Sequence, residues 1–281
     1  MKSVQPEVFL VARPQLDYDQ LAAYLRAVGG QSWLERLDRG DLNNDGPGSD
    51  DPDRGELGGG PGSDAENLAE FAGKICYRAW EPGLNPNIVR VRNDHEAYLQ
   101  NILRQAHGSV LEHAMFSFVL HNVSRVATHE LVRHRPGVAI SQESLRFVRL
   151  TDIPFWFPDW AEADDELMKR ASVLLGQMEE FQQWMAGHFG LDEEGLKFDE
   201  KKHKTSFMRR FAPDGVATGL LWSANIRTLR HTIEARTDQG AEEEIRLVFG
   251  KIGELMREEA PALFGDYTVT DGRWLPGWRK V

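Results

Sequence analysis

Cysteine is nearly missing from this chain: Cys76 is the only one in 281 residues. A single thiol excludes an internal disulfide and a cysteine-rich metal centre. It lies in the apolar run FAGKICYRAW, where a buried structural thiol is expected rather than a nucleophile. Long hydrophobic runs are missing as well, and none approaches the roughly 20 residues that span a bilayer. The opening residues, MKSVQPEVFLVARP, lack the extended apolar centre of a signal peptide. The expectation is therefore a cytoplasmic protein with no membrane partner. No basic stripe with interleaved aromatics appears, which argues against a nucleic-acid partner. Internal repeats are absent.

What is present suits a soluble globular domain, with 41% hydrophobic and 27% charged residues. A chain of this length can bury a full core. The net charge of −11 is unevenly placed, because residues 38–66 carry −7 and leave −4 for the rest. That segment, rich in Gly, Asp and Pro, has little to bury and reads as a flexible acidic insertion. The global charge does not forbid a local basic pocket elsewhere.

Periodicity places the remaining elements. Residues 7–12 read as a buried strand, and Asp17 or Asp19 can cap a helix through 19–28. From Glu66 a helix shows Leu68, Phe71, Ala72 and Ile75 on one face, and Asp94 can cap another through Ala106. Residues 114–120 alternate as a half-buried strand, and Ser124 can cap the helix SRVATHELVRH. Strands are expected at 145–150 and from Val216, with helices at 164–189, 191–210, 225–237 and 241–259. The mixture predicts one α+β domain, helices packed on a sheet.

Four polar stretches carry the chemistry. RHRPGVAISQESLR, residues 133–146, joins Arg133, His134 and Arg135 to a Pro-Gly break and a polar run ending in Arg146. Guanidinium forks, serine hydroxyls and a close-approaching glycine backbone suit an anionic ligand, although the same residues could simply end a helix. HGSVLEH, from His107, serves equally as a polar connector or a ligand site. In NIRTLRHTIEAR, from Asn225, residues Asn225, Arg227, His231 and Arg236 cannot share one helical face. Arg209 stands just before Phe211 and Pro213. His129, Glu130 and His134 nearly spell a zinc motif, but the second histidine falls at i+5. That is about 140° around a helix rather than about 40°, so no metal site is expected.

Taken in order, these pieces resemble the flavin-dependent thymidylate synthases. That family's Arg-His-Arg, spacer and Ser-x-Arg signature is matched by Arg133-His134-Arg135 and Ser144-Leu145-Arg146. Its His-x-Ser-x-x-Glu-His element is matched by HGSVLEH, and its Asn-x-Arg helix by NIRTLRHTIEAR. The likeness runs from about Asn67 to Tyr267, plus the first strand. There are departures. The spacer from Pro136 to Glu143 is one residue longer than usual, so the loop must bulge. Glu130, Glu143 and Gly240 replace residues common in relatives, and the 38–66 insertion and the GRWLPGWRKV tail are extra.

The resemblance implies a thymidylate synthase-complementing protein-like fold, with helices packed on a mixed or antiparallel sheet. It implies a homotetramer that makes dTMP from dUMP with FAD, methylenetetrahydrofolate and NADPH. Ser109, Arg133, His134, Arg135, Gln142, Asn225, Arg227 and His231 are expected at FAD. Glu130, Arg133, Gln142, Glu143, Ser144, Leu145, Arg146, Arg209 and Arg236 are expected at the nucleotide, and His107 near flavin and folate. Arg236, Ser144 and His107 are the expected catalytic residues. Two other readings compete: methylation of another uracil nucleotide such as UMP, or a catalytically silent nucleotide-binding protein.

Overall fold

The computed structural model describes residues 2–39, 62–146, 150 and 152–279. The alternating segment around Phe118 becomes the middle of a four-stranded antiparallel sheet. Its strands are β1 (Glu7–Ala12), β2 (Met115–Ser124), β3 (Val138–Gln142) and β4 (Ala217–Asn225), in spatial order β1-β2-β4-β3. Phe118 lies opposite Leu10 on one side and Trp222 on the other, and Ile140 is also opposite Trp222. The helices are α1 (Tyr18–Val28), α2 (Gln31–Arg39), α3 (Asp64–Tyr77), α4 (His95–Arg104) and α5 (Arg125–Leu131). After them come α6 (Asp165–His188), α7 (Phe198–Met208), α8 (Ile226–Arg236) and α9 (Glu243–Glu259). A hairpin of β5 (Tyr267–Thr270) and β6 (Arg273–Pro276) follows.

One face of the sheet presents Phe116, Phe118, Leu120, Leu220 and Trp222 to the apolar stripes of α8 and α9, forming the main core. Trp222 meets Phe249 edge-on, with centroids 5.5 Å apart. Truncating such a ring to alanine costs about 3–5 kcal/mol. The other face is left uncovered by the described residues, with Phe9 48% and Leu221 40% exposed. Among the described residues no helix is long and apolar enough to cross a membrane.

The caps read from sequence hold. Asp17, Asp94 and Ser124 each accept a backbone N–H in the first turn of α1, α4 and α5, and Asn225, not expected as a cap, does so for α8. Other expectations need correction. The helix expected from 191 begins only at Phe198, because Gly190 and Gly195 adopt positive φ. The strand expected at 145–150 is a turn at Leu145 and Arg146, and residues 147–149 lie outside the described residues. The strand in this region is instead β3. Cys76 is exposed, with its Sγ donating to the Ala72 carbonyl at 3.2 Å.

Residues 40–61 of the expected insertion lie outside the described residues, but its right-hand boundary moves. Ser63 caps α3 through a capping box. The Asp64 carboxylate takes the Leu16 N–H at 2.9 Å and the Tyr18 hydroxyl at 2.6 Å, and Glu66 is buried.

Helix α3 also buries more than its apolar stripe, while Ile75 is 39% exposed. Glu66, Glu70 and Lys74 are enclosed by α2, α4 and the segment leading into α4. Glu70 accepts from Trp33 Nε1 at 3.0 Å, pairs with Arg36, and meets His95 Nδ1 at 2.5 Å. Burial works to raise the Glu70 pKa, but His95, Arg36 and Lys74 hold it at about 2. Burial likewise works to lower His95, whereas Glu66 and Glu70 raise it to about 9.

The tail after α9 braces α8 from behind. Arg230, buried on α8, forms a bidentate pair with Asp266 at 2.7 and 2.8 Å, and the Tyr267 hydroxyl donates to the Arg230 carbonyl at 2.8 Å. The Trp274 N–H donates to Thr237 Oγ1 at 2.9 Å. Asp271 and Gly272, both at positive φ, form the turn between β5 and β6.

Candidate active site

Helix α5 is short, and beyond its end His134 meets Arg236 at the end of α8 while Pro136 and Gly137 meet its start. The His134 N–H closes the turn on the Leu131 carbonyl at 3.1 Å. Pro136 then blocks any further helix, and Gly137 takes φ +67°. The Gly137 carbonyl accepts from the Asn225 N–H at 3.1 Å, and the Pro136 carbonyl from Thr228 Oγ1 at 2.7 Å. Asn225 Oδ1 caps α8 through the Thr228 N–H at 2.9 Å. A Cβ at residue 137 would lie 2.3 Å from Asn225 Nδ2. The long spacer is thus accommodated by a left-handed glycine turn before β3, pinned onto the helix that carries the other motif.

The tightest cluster is centred on Arg236. Its Nε donates to His134 Nε2 at 2.6 Å, Nη1 to Glu130 Oε2 at 2.5 Å, and Nη2 to the Glu130 carbonyl at 2.9 Å. One N–H on each terminal nitrogen remains for a ligand. Burial, then the charges of Arg236 and His231, push His134 down to about 4. The imidazole is therefore neutral at pH 7, and because Nε2 accepts, its proton sits on Nδ1. His231 stands edge-on to this ring at 5.8 Å. A cavity of about 650 Å³ opens beside His231, Arg236 and Gly240, with Arg273 and Arg279 also in its wall.

The far end of β3 holds a second group. Gln142 Nε2 donates to Thr128 Oγ1 at 3.3 Å. The Glu143 carboxylate accepts the Gly219 N–H at 2.9 Å and its own N–H donates to the Gly219 carbonyl at 3.0 Å. The Glu143 side chain is thus turned onto the backbone of β4 and away from a role as an open nucleotide contact. Ser144 Oγ accepts from the Arg146 N–H at 3.3 Å, and Arg146 Nε is buried with no partner among the described residues. Leu145 and Arg209 share the wall of a cavity of about 320 Å³ with Gln182, Leu191 and Met208.

Arg125 joins this second group, although no motif pointed to it. Its Nη2 donates to the Glu143 carbonyl at 2.9 Å. Burial, then the charge of Arg209, lower its pKa, with Asp214 and Glu143 opposing the shift. A signal was available: Arg125 opens α5, where the helix dipole disfavours a cation. The two groups both border α5, the second through Arg125 and Thr128 and the first through Glu130.

The remaining candidates surround a 3₁₀ turn at Gly108–Glu112 that packs on α8. Glu112 Oε1 accepts from Arg227 Nη1 at 2.5 Å. The His107 ring stacks on Tyr77 with centroids 6.4 Å apart, and Ser109 is exposed. Both partners of the Arg227 pair are about half exposed, so opening it for a ligand costs little.

The thymidylate synthase complementing protein family matches residues 62–262. A flavin-dependent thymidylate synthase of Corynebacterium aurimucosum is 33% identical over 211 residues, covering 74% of this chain and 82% of that protein. One of Mycobacterium leprae is 32% identical over 215 residues, covering 72% and 80%. Among solved structures, a UMP/dUMP methylase, PolB of Streptomyces cacaoi bound with 5-Br UMP, superposes with a TM-score of 0.56. It is 16% identical and covers 72% of this chain and 89% of that one. A flavin-dependent thymidylate synthase, ThyX of Helicobacter pylori complexed with FAD and dUMP, superposes with a TM-score of 0.50. It is 19% identical, with coverage of 72% and 94%. At these identities the likeness to solved structures is one of fold.

Proposed function

The chain belongs to the thymidylate synthase complementing protein family, and from that premise we propose that it is a flavin-dependent thymidylate synthase. It converts dUMP to dTMP by transferring the methylene carbon of methylenetetrahydrofolate to uracil C5 and reducing it to a methyl group. NADPH is the source of reducing equivalents. The observation that carries the proposal is the Arg236 cluster, in which the Arg-His-Arg motif and the Asn-x-Arg helix meet through hydrogen bonds.

The residues suit FAD by their chemistry. Asn225 and Arg227 lie at the start of α8, His231 stands farther along it edge-on to His134, Arg133 and Arg135 flank His134 in the chain, and Ser109 lies on the turn packed against α8. Gln142 is farther along β3. Cations and N–H donors of this kind hold a diphosphate and the polar edge of a ring system. When bound, FAD supplies the hydride, which no side chain can do.

Uracil C5 must act as a nucleophile, and the exposed Cys76 stands apart from these clusters. Arg236 instead places N–H donors where negative charge develops on the pyrimidine, while Glu130 and His134 fix its orientation. Neutral His134 offers Nδ1–H as a further donor. Ser144, Arg146 and Arg209, joined by Arg125, form the clamp for the nucleotide phosphate. His107 lies on the flavin and folate side.

The complete sites form between neighbouring subunits of a homotetramer. The uncovered sheet face bearing Phe9 and Leu221 supports such an assembly. The enzyme works in the cytoplasm. Purified protein should show flavin absorbance on FAD addition and make dTMP from dUMP faster than it methylates UMP. A folded oligomer that takes up no FAD, or prefers UMP, overturns the proposal, as does a fully active monomer in sedimentation.

A further inference from the structure

The cavity beside Arg236 has a wall that no motif foretold. Arg273, on β6, and Arg279, just beyond it, line it with Arg236, and both lie outside the family-matched residues 62–262. Two carboxylates also line the cavity: Asp238 Oδ2 is 2.6 Å from Arg273 Nη2, and Glu234 Oε1 is 2.8 Å from Arg279 Nε. These pairs are not what anchors the tail. The buried Arg230 pair with Asp266 and the Trp274 bond to Thr237 already hold it against α8.

Both pairs are open to solvent, with Arg279 59% and Arg273 36% exposed, so exchanging a carboxylate for a ligand anion costs little. Arg273 Nε is buried without a partner among the described residues. Arginine's planar fork accepts phosphate or carboxylate in bidentate geometry. The nucleotide phosphate has its own clamp at Ser144, Arg146 and Arg209, so these cations are left for a different anion.

We propose that Arg273 and Arg279 form an anion-binding rim on the Arg236 cavity, taking the carboxylate or phosphate tail of a co-substrate. The proposal rests on the assignment of Arg236 to the active site. Two sources carry that chemistry in the reaction: the glutamate of the reduced folate and the 2′-phosphate of the dinucleotide.

Calorimetry on the full-length, FAD-loaded protein separates them. Tetrahydrofolate is compared with tetrahydropteroate, which lacks the glutamate, and NADP⁺ with NAD⁺, which lacks the 2′-phosphate. The variants are Arg279→Ala, the double Arg273→Ala/Arg279→Ala, and the double lysine replacement. At low salt the double alanine variant should bind one anionic ligand about 10-fold more weakly and lose its preference over the truncated counterpart. Affinity for dUMP should stay within about 2-fold, and raising the salt should narrow the gap between wild type and variant. The lysine pair should restore part of the affinity, since it keeps charge without the fork.

Equal affinity of wild type and double variant for both anionic ligands overturns the rim. If the double variant does not fold, the exposed Arg279→Ala decides alone: about 3-fold weaker binding supports the rim, and unchanged binding overturns it. Wild-type protein that binds neither FAD nor dUMP would overturn the underlying function instead, before any variant is made.

Discussion

Arg236 on α8 and His134 after α5 are joined nitrogen to nitrogen at 2.6 Å, a bond that requires the histidine to be neutral. Burial and the arginine's charge keep it so down to about pH 4. The same guanidinium holds Glu130 twice, so one side chain fixes both a neutral donor and a carboxylate.

Replacing Arg236 therefore has two effects. Arg236→Ala should lower turnover by about 10²–10³-fold, the scale of a lost oxyanion donor, with Arg236→Lys rescuing little. Single-turnover oxidation of pre-reduced enzyme at saturating nucleotide and folate measures it. Wild-type rates in Arg236→Ala would reduce the residue to a binding contact. The His134 pKa, followed by the pH dependence of its NMR shift, should rise in the same variant.

His95 gives the fold a pH dependence of known sign. Its pKa is raised from 6.5 to about 9, so the folded state holds the proton more tightly. Its stabilisation is complete below pH 6.5 and is lost as pH rises through 9, with a slope of at most about 1.4 kcal/mol per unit. Lys74, lowered to about 8, acts in the opposite sense only above that value. Urea denaturation between pH 6.5 and 8 should show falling stability in wild type and a flatter profile in His95→Gln. An unchanged slope would remove His95 as its cause.

Gly137→Ala should harm the protein more than Gly83→Ala. Both positions have positive φ and carry the backbone penalty of about 1 kcal/mol. A Cβ at Gly83 meets nothing within 4 Å, whereas at Gly137 it strikes Asn225 and Thr228. The expected extra loss is about 1–3 kcal/mol, read from denaturation midpoints, with FAD affinity reduced alongside. Equal effects would mean that the turn does not depend on this close approach.

Residues 41–60 should be dispensable for chemistry, because their composition of glycines, prolines and acids has little apolar surface to bury. Replacing them with a short Gly-Ser linker should leave dUMP turnover within about 2-fold of wild type. The deletion must stop before Ser63, whose cap and whose neighbours Asp64 and Glu66 are part of the packed structure. A folded, flavin-loaded deletion variant without turnover would give the segment a role in catalysis.

Helices such as α4 and α5 were readable because each carries a cap, Asp94 or Ser124, whereas α2 was not read and α7 has no side-chain cap. Strand β3 was hidden inside the motif stretch, where the polar Ser141 and Gln142 masked an alternation only five residues long. The β5–β6 hairpin carried a legible Asp-Gly turn signal at 271 and 272, passed over as a tail. The burial of Glu70 and Lys74 could not be read at all. Charged residues are expected outside, and only partners as distant in sequence as Arg36 and His95 make their enclosure tolerable. The motifs identified the Arg236 cluster because its partners are motif residues. Arg273 and Arg279 belong to no motif and reach the site only through the tail's path.

That path also sets an order of events during synthesis. Helix α8 carries Arg227, His231 and Arg236, yet Asp266, Tyr267 and Trp274, which brace its rear, follow its last residue by about 30–40 positions. While the ribosome still encloses that stretch of nascent chain, the helix lacks its rear support. A stop codon arising just before Asp266 would thus leave every motif intact and yield a polypeptide whose catalytic helix lacks all three of these supports.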